Sequence, residues 1–178
     1  DNCAVKKFKD IMSAEGDTNH DGIEYCLDHG IMNGTGADTF DPESTITRAQ
    51  FATMFYRLAG QPESSADGKF TDLTEDWYVK AVNWAAANGI VTGYTENAFG
   101  PNDNITREQL AAILHRYANY KGDDVSVGED TNILSFDDAQ TISGYAVPAM
   151  QWACGAGLMQ GSNRKLLPTA QATRAQVA

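Results

Sequence analysis

The sequence has few basic residues and no long apolar run, and each shortage excludes a class of protein. Thirteen lysines and arginines stand against 24 acidic residues, giving a net charge of −11. A chain so acidic lacks the basic face that nonspecific binding to nucleic acid requires. No apolar stretch reaches the roughly 18 residues of a membrane-spanning helix, and no signal-like segment follows Asp1. We therefore expect no nucleic-acid binding and no membrane insertion, and a mature or excised piece of a protein.

Cysteine is also scarce. The three cysteines have neither CxxC spacing nor a histidine cluster typical of zinc sites. Cys26 and Cys154 lie in helix-like segments, where a small buried apolar side chain is expected. In a secreted protein Cys3 could pair with Cys26, although sequence does not determine connectivity. We predict neither a metal site nor a cofactor.

What the sequence does contain is a threefold repeat. TRAQ at 47–50 recurs as TREQ at 106–109 and as TRAQ at 173–176. Five residues before the threonine of each copy lies a proline. Further upstream come two glycines that are four residues apart and, before them, a Phe-x-Asp motif. These elements are Pro42, Pro101 and Pro168; Gly30 with Gly34, Gly89 with Gly93 and Gly157 with Gly161; and Phe8 with Asp10, Phe70 with Asp72 and Phe136 with Asp138. The spacing predicts three units of roughly 60 residues, at 1–60, 61–122 and 123–178.

Each unit is predicted to form a helix, a loop and a second helix. In the second unit the first helix should cover about 77–88 and end at Gly89, because glycine followed by an apolar residue is typical of a helix C-terminus. The second helix should begin at Thr106. Its apolar residues follow the i, i+3, i+4, i+7 spacing of a buried stripe, as do those of the first unit: Leu110, Ile113, Leu114 and Tyr117, and Phe51, Met54, Phe55 and Leu58.

Two helices are too few to bury such a stripe, so the three units should pack on one another. The fold class expected is mostly α, a compact body of three lobes. The third unit stops five residues after Thr173, and we expect its second helix to be truncated. Self-association through the groove left there is one possibility, and a shortened or lost tail is another.

The repeated TRAQ motif fits a capping box. In this motif the threonine hydroxyl accepts a hydrogen bond from the backbone amide of glutamine, and the glutamine side chain accepts one from the backbone amide of threonine. This explains Thr47, Thr106 and Thr173. It does not explain the arginine that follows each threonine. A cation at the helix N-terminus interacts unfavourably with the helix dipole, at a cost of up to about 1 kcal/mol. A guanidinium beside free helix amides is an anion site, so we predict that the arginines bind a carboxylate or phosphate. Alternatively, each pairs with the aspartate of Phe-x-Asp or with a neighbouring loop. The arginines are Arg48, Arg107 and Arg174.

Aromatic residues near the start of the first helix suggest a sugar as ligand. Trp77 and Tyr145 occupy this position in the second and third units, whereas the first unit has Thr18. Aromatic rings beside charged donors suit the faces of sugar rings. Lys80 could add a second cation or be a solvated surface lysine. A second aromatic position, seven residues further along, is predicted to be core: Tyr25, Trp84 and Trp152.

The combination of Phe-x-Asp, Gly-Ile-x-x-Gly, Phe-x-Pro and Ile-Thr-Arg-Ala-Gln resembles the S-layer homology (SLH) domain, in three tandem copies over about residues 8–178. The resemblance implies a three-pronged spindle with a pseudo-threefold axis that anchors secreted bacterial proteins to the cell wall or S-layer. It also implies that the motif arginines line grooves between repeats and bind acidic secondary cell-wall polysaccharide carrying a pyruvylated amino sugar. Carried over, Arg48, Arg107 and Arg174 hold the carboxylate. Their groove neighbours are Thr47, Thr106, Thr173 and Trp77.

The sequence departs from the family pattern in two ways. All three copies have glutamine where the family usually has glutamate, which keeps the capping box. The third copy has Ala172 in place of isoleucine and Leu166 in place of phenylalanine. The third copy therefore departs most from the family pattern at its groove.

Two rival functions are less well supported. Residues 17–22, DTNHDG, resemble the start of a calcium-binding loop, with Asp17, Asn19 and Asp21 as ligands. The continuation lacks the required Glu, and the repeat register places this stretch in the first helix. An enzyme is not expected, since no carboxylate pair recurs and the three histidines occupy unrelated repeat positions. A structural self-assembly module, whose arginines only form ion pairs between repeats, remains an alternative.

Overall fold

The computed structural model describes residues 3–12, 16–127 and 131–178. This part of the chain contains six α-helices and isolated β-bridges, with no strand or sheet. The helices are α1 (Thr18–Asp28), α2 (Arg48–Leu58), α3 (Asp76–Ala87), α4 (Arg107–Lys121), α5 (Val147–Gly155) and α6 (Arg174–Val177). Single 3-10 turns lie at Ala4–Lys7, Ile133–Ser135, Ala139–Thr141 and Gly144–Ala146. The predicted mostly α fold is confirmed. None of these helices is long and apolar enough to cross a membrane.

The first helix of every repeat ends as the glycine pattern predicts. Gly30, Gly89 and Gly157 have φ angles of 65°, 70° and 74°, which place them in the left-handed region that glycine tolerates. After α1, the amide of Ile31 donates to the carbonyl of Cys26 at 2.8 Å and Gly30 to Leu27 at 3.1 Å. This pair of bonds is the Schellman motif. It recurs after α3 and α5.

The second glycine of each pair is explained by the Phe-x-Asp motif. A Cβ atom added at Gly93 would collide with the ring of Phe70, and Gly34 and Gly161 face Phe8 and Phe136 in the same way. The phenylalanine therefore packs directly on the backbone of the loop that follows the first helix. Two motifs that are far apart in sequence form one contact.

The repeats are joined in a closed ring. α2 of the first repeat packs on α3 of the second, α4 packs on α5, and α6 returns to α1. Gly22 permits this return, because a Cβ atom there would lie 2.9 Å from the carbonyl carbon of Ala178. Near the axis, isolated antiparallel bridges link the segments that precede the second helices: Thr47 with Asn104, Thr106 with Gln171, and Thr45 with Thr173. The result is three helix pairs around a pseudo-threefold axis.

The core repeats as well, including at the two positions where the third repeat departs from the pattern. Leu166 is fully buried, as are its equivalents Phe40 and Phe99. Ala172 is fully buried and corresponds to Ile46 and Ile105, whose exposed fractions are at most 1%. Both departures therefore reduce side-chain volume without removing the residue from the core.

The prediction that three aromatics of the first helices are core is correct for two of them. Trp84 and Trp152 are buried, but Tyr25 is 53% exposed and stacks on His29 with ring centroids 3.9 Å apart. Trp84 is covered by Tyr56 of α2 and Tyr120 of α4, each at 5.7 Å. Tyr25 faces the short helix α6, which covers less of α1.

Other local predictions can be compared directly with the structure. The cysteines are all free thiols, so the possible bridge from Cys3 to Cys26 does not form. Cys26 is buried and Cys154 half-buried. Asp17 caps α1 and accepts from the amide of Asn19, so 17–22 begins a helix and does not form a calcium loop.

Candidate ligand-binding grooves

All three predicted capping boxes are present. Thr47 Oγ1 accepts from the amide of Gln50 at 3.1 Å, and the amide of Thr47 donates to Gln50 Oε1 at 2.8 Å. Thr106 with Gln109 and Thr173 with Gln176 form the same reciprocal pair. The threonine hydroxyls are thus committed to starting the second helices.

The helix amides expected to face an anion are already bonded to protein. The amide of Arg48 donates to the carbonyl of Asp103 at 2.9 Å, and that of Ala49 to Pro101 at 3.0 Å. The equivalent amides of the other two repeats donate to the loop that follows in the ring: Arg107 to Ala170 and Glu108 to Pro168, and Arg174 to Ser44 and Ala175 to Pro42. The prediction of free amides at the helix tips is therefore wrong. Each tip docks on the proline-containing loop of the next repeat.

The repeated arginines bind backbone carbonyls of that same neighbouring loop. In every case Nε donates to one carbonyl and Nη2 to another, an arrangement we call the arginine clamp. Arg48 holds Phe99 at 3.0 Å and Thr92 at 2.9 Å, Arg107 holds Leu166 at 2.8 Å and Gln160 at 3.0 Å, and Arg174 holds Phe40 at 2.8 Å and Asn33 at 2.7 Å. The arginine clamp gives each arginine the structural role of the alternative in which it binds a neighbouring loop, with backbone carbonyls as acceptors.

The other alternative, in which these arginines pair with the aspartate of Phe-x-Asp, is wrong. The carboxylate of Asp72 accepts from the amides of Phe99 and Gly100, at 2.8–3.0 Å, while Arg48 takes the carbonyl of Phe99. Desolvation raises the pKa of Asp72, but these amides and the nearby Arg48 charge outweigh it, so the pKa lies below its usual value. Asp10 and Asp138 behave alike, with Arg174 and Lys165 as the respective nearby cations. The aspartate carboxylate therefore binds backbone amides of the loop, and the arginine guanidinium binds backbone carbonyls of the same loop.

Burial is deep for two of the three arginines. Arg48 is 5% exposed and Arg174 9%, whereas Arg107 is half-buried. Desolvation lowers the pKa of all three, yet a guanidinium remains charged at neutral pH. Aromatic faces compensate in part, because Arg48 Cζ lies 4.5 Å from the centroid of Tyr94 and 4.6 Å from that of Phe99.

Two of these arginines line open cavities between repeats. Groove 1 has a volume of about 400 Å³ and is lined by Arg48, Thr92, Gly93, Tyr94, Gln109, Ala112, Ile113, Arg116 and Tyr145. Groove 2 has a volume of about 350 Å³ and is lined by Ile31, Met32, Asn33, Gly34, Thr35, Ile46, Gln50, Thr53, Met54, Arg57, Trp77 and Arg174. No acidic side chain lines either groove within the described part of the chain. Both grooves are positively charged clefts in an acidic protein.

The two grooves are built from equivalent positions. Each takes its clamp arginine from one repeat, a loop and second helix from the next, and an aromatic residue from the third. Arg48 of groove 1 corresponds to Arg174 of groove 2, Arg116 to Arg57, and Tyr145 to Trp77. Both aromatics are exposed, at 55% and 53%. Sequence analysis missed Arg116 and Arg57, although each lies nine residues after a clamp arginine.

The remaining predicted site residues lie elsewhere. Arg107 forms a clamp but does not line either groove. At the third junction the first repeat contributes Thr18 where the other repeats contribute Trp77 or Tyr145. Lys80 is exposed on α3 and also lies outside both linings. Thr47, Thr106 and Thr173 lie in the caps. The structure therefore brings together Arg48 with Tyr145 and Arg174 with Trp77.

One group of side chains in the described ranges has the composition of a cation site. Potential ligand atoms of His20, Asp21 and Glu24 on α1 lie within 4.8 Å of one another. His20 is buried, and its nitrogens already have partners: Nδ1 lies 3.3 Å from Asp21 Oδ1 and Nε2 3.7 Å from Cys3 Sγ. The arrangement is complete without an ion.

Comparison with known proteins identifies the repeat. The model of the S-layer homology domain matches residues 7–52, 69–111 and 135–178. The chain is 39% identical over 157 residues to an endoglucanase of Bacillus sp. (strain KSM-635), covering 88% of this chain and 16% of the relative. It is 32% identical over 179 residues to an amylopullulanase of Thermoanaerobacterium thermosulfurigenes (97% and 9%). It is 30% identical over 159 residues to a surface-layer 125 kDa protein of Lysinibacillus sphaericus (86% and 14%).

The chain spans less than a fifth of the length of these relatives. What they share with it is the repeat module, which occurs both in proteins named as enzymes and in proteins named for the surface layer. The module is therefore separable from any catalytic part. This chain belongs to the S-layer homology domain family, and is a wall-associated, cell-surface anchoring module built from three tandem repeats.

Proposed function

We propose that the chain anchors a larger surface protein by holding an acidic secondary cell-wall polysaccharide, bearing a pyruvylated amino sugar, in grooves 1 and 2. The observation that carries this proposal is the recurrence of one arrangement at two places. Each groove joins two arginines with at least one exposed aromatic ring and is lined by no acid in the described chain. A negatively charged saccharide matches both features.

The two features have separate tasks in the proposal. The guanidinium groups attract a carboxylate into a cleft where screening by water is reduced, which strengthens the interaction. Tyr145 and Trp77 stand at the rim, more than half exposed, where a ring can stack on the face of a sugar. The net charge of −11 repels an acidic polymer from the rest of the surface, so binding is confined to the grooves.

The proposed ligand contacts are Arg48 with Tyr145 and Arg174 with Trp77. Arg107 is a third candidate, at a junction with a clamp and without the aromatic residue. The threonines contribute indirectly, because they hold the helix starts from which the arginines project. Neither catalysis nor a cofactor enters the proposal.

Binding to purified sacculi tests it. Cell walls that retain their acidic polymer should retain the protein, and walls stripped of that polymer should not. Raised salt should weaken retention, because the contacts are charged. Equal retention by both preparations would reject the acidic polymer as ligand.

A structural self-assembly module is the second candidate, and the arginine clamps agree with the structural role that it gives to the arginines. They tie each repeat to the next through carbonyls rather than through the ion pairs first expected. Substituting the clamp arginines cannot separate the two functions, because the fold would suffer in either case. The double variant Tyr145→Ala with Trp77→Ala can separate the two functions, because both side chains are exposed and their removal should leave the fold intact. Polymer binding should then fall with self-association unchanged, whereas an assembly role for these rings predicts the reverse.

A further inference from the structure

The clamp arginine of groove 1 already gives two of its five N–H donors to protein. Arg48 directs Nε and Nη2 to two carbonyls and is 5% exposed. A bidentate grip on a carboxylate uses two parallel N–H donors on one side of the guanidinium. In Arg48 the Nε side is already occupied by protein. Only the Nη1–Nη2 end of Arg48 remains for a ligand, and a second guanidinium would strengthen the hold on an acid.

Arg116 lines the same groove from α4 and is half-buried. Within the described ranges its side chain has no hydrogen-bond acceptor and no carboxylate partner, so none of its five donors is committed to protein there. The protein thus places two guanidinium groups at one cavity without a protein acid lining it. Like charges so arranged repel one another, and the charge of Arg116 contributes, after desolvation, to lowering the pKa of Arg48. An anion bound between them removes this repulsion.

We propose that Arg116 grips the acidic group of the ligand in groove 1 through a pair of parallel N–H donors, alongside the contact assigned to the motif arginine Arg48. Arg48 positions the loop that forms the opposite wall and contributes charge. Tyr145 and Tyr94, both exposed at the rim, flank the bound sugar. This inference rests on the proposed function, because it assigns the contact that an acidic saccharide would make.

Groove 2 provides an internal contrast. Arg57 holds the position equivalent to Arg116 but donates from Nη1 to the carbonyl of Ile31 at 3.2 Å. One side of its guanidinium is thereby partly engaged in fixing the groove wall. Groove 1 is accordingly the stronger anion site of the two.

The test compares Arg116→Gln with Lys121→Gln, which removes the same charge from the exposed end of α4, outside the lining of groove 1. The probe is the acidic polymer released from sacculi and cut to oligosaccharides. Calorimetry measures affinity, and the indole N–H signal of Trp77 reports groove 2 separately by NMR. Arg116→Gln should weaken the groove 1 site about tenfold or more, the worth of a charged hydrogen bond. Lys121→Gln should leave it nearly unchanged, and the Trp77 response should persist in both.

Arg116→Lys keeps the charge without the planar pair of donors and should restore only part of the affinity. Thermal unfolding of each variant should match the wild type, because Arg116 has no partner in the described chain. If the wild type binds the oligosaccharide and Arg116→Gln binds equally well, the assignment of Arg116 is overturned while the proposed function stands. If the wild type binds neither oligosaccharide nor polymer-bearing walls, the proposed function fails and this inference with it.

Discussion

Groove 1 and groove 2 share an architecture but differ in how far their arginines are already committed. Both have a buried clamp arginine, a second arginine on the neighbouring helix and an aromatic residue from the third repeat. In groove 1 the clamp arginine also stacks on Tyr94, where groove 2 has the smaller Thr35. In groove 2 the second arginine also bonds to the loop wall. The repeats conserve the positions that form the groove. Single side chains determine how many arginine donors are free of protein partners in the described chain.

The third junction extends this contrast. Arg107 makes its two carbonyl bonds at distances like those of Arg48 and Arg174, yet it lines neither groove. The clamp is therefore a requirement of the fold, present at every junction. Under the proposed function, binding would then depend on the side chains around the clamp.

The largest effect is expected from removing a clamp. Arg48→Ala would leave the carbonyls of Phe99 and Thr92 without their charged donor, in a site where Arg48 is 5% exposed. We expect a loss of about 2–4 kcal/mol in the free energy of unfolding, measured by denaturant titration. Arg107→Ala should cost a similar amount if the clamps are equivalent. The exposed Arg164→Ala is the control, and an Arg48 variant as stable as that control would contradict the clamp.

The next effect concerns the aspartates that hold the two groove loops. The pKa of Asp72 and of Asp10 is lowered in the folded protein despite desolvation, since backbone amides bond to the carboxylates. A group with a lowered folded pKa stabilises the protein above its unfolded pKa of about 4, and that stabilisation is lost as the pH falls through the folded value.

Melting temperature should therefore fall as the pH drops below about 4. Asp72→Asn and Asp10→Asn should each lower the melting temperature at pH 7 and make the loss in acid shallower. Thermal unfolding between pH 2 and pH 7 measures both effects. A different change in melting temperature for the two variants would show that the two aspartates do not stabilise their loops equally.

A smaller effect is expected at the second arginine of groove 2. Arg57→Gln removes the bond to the carbonyl of Ile31 and should cost about 1 kcal/mol of stability. It should also weaken polymer binding less than Arg116→Gln does. Calorimetric melting and binding on the same samples check the two results together. The reverse order of affinities would make groove 2 the stronger anion site.

The smallest effect should come from a single aromatic residue. Tyr145→Ala and Trp77→Ala each remove one exposed ring and should weaken their own groove about three- to tenfold, with melting temperature kept. Titration with the oligosaccharide measures the loss. Thr18→Trp would place a ring at the third junction, and gain of a third binding event would show that an aromatic residue beside the Arg107 clamp is enough for binding.

Local features of this fold could be predicted from the sequence because their causes are local. The left-handed glycine at Gly89 and the capping box at Thr106 depend on residues within a few positions. The partners of Arg48 could not be predicted in the same way, because the carbonyls it bonds lie 44 and 51 residues away. Nothing in a sequence marks a backbone carbonyl as an acceptor for a distant side chain. The exposure of Tyr25 was missed for a related reason, since it depends on how much of α1 is covered by α6.

The return of α6 to α1 has a consequence for how the molecule unfolds. In an open array of repeats, a terminal unit can detach at the loss of a single interface, and the array can melt in stages. Here every repeat shares a boundary with both of the others, so releasing any one of them breaks two boundaries at once. We expect the melting transition to be all-or-none, with calorimetric and van't Hoff enthalpies in agreement.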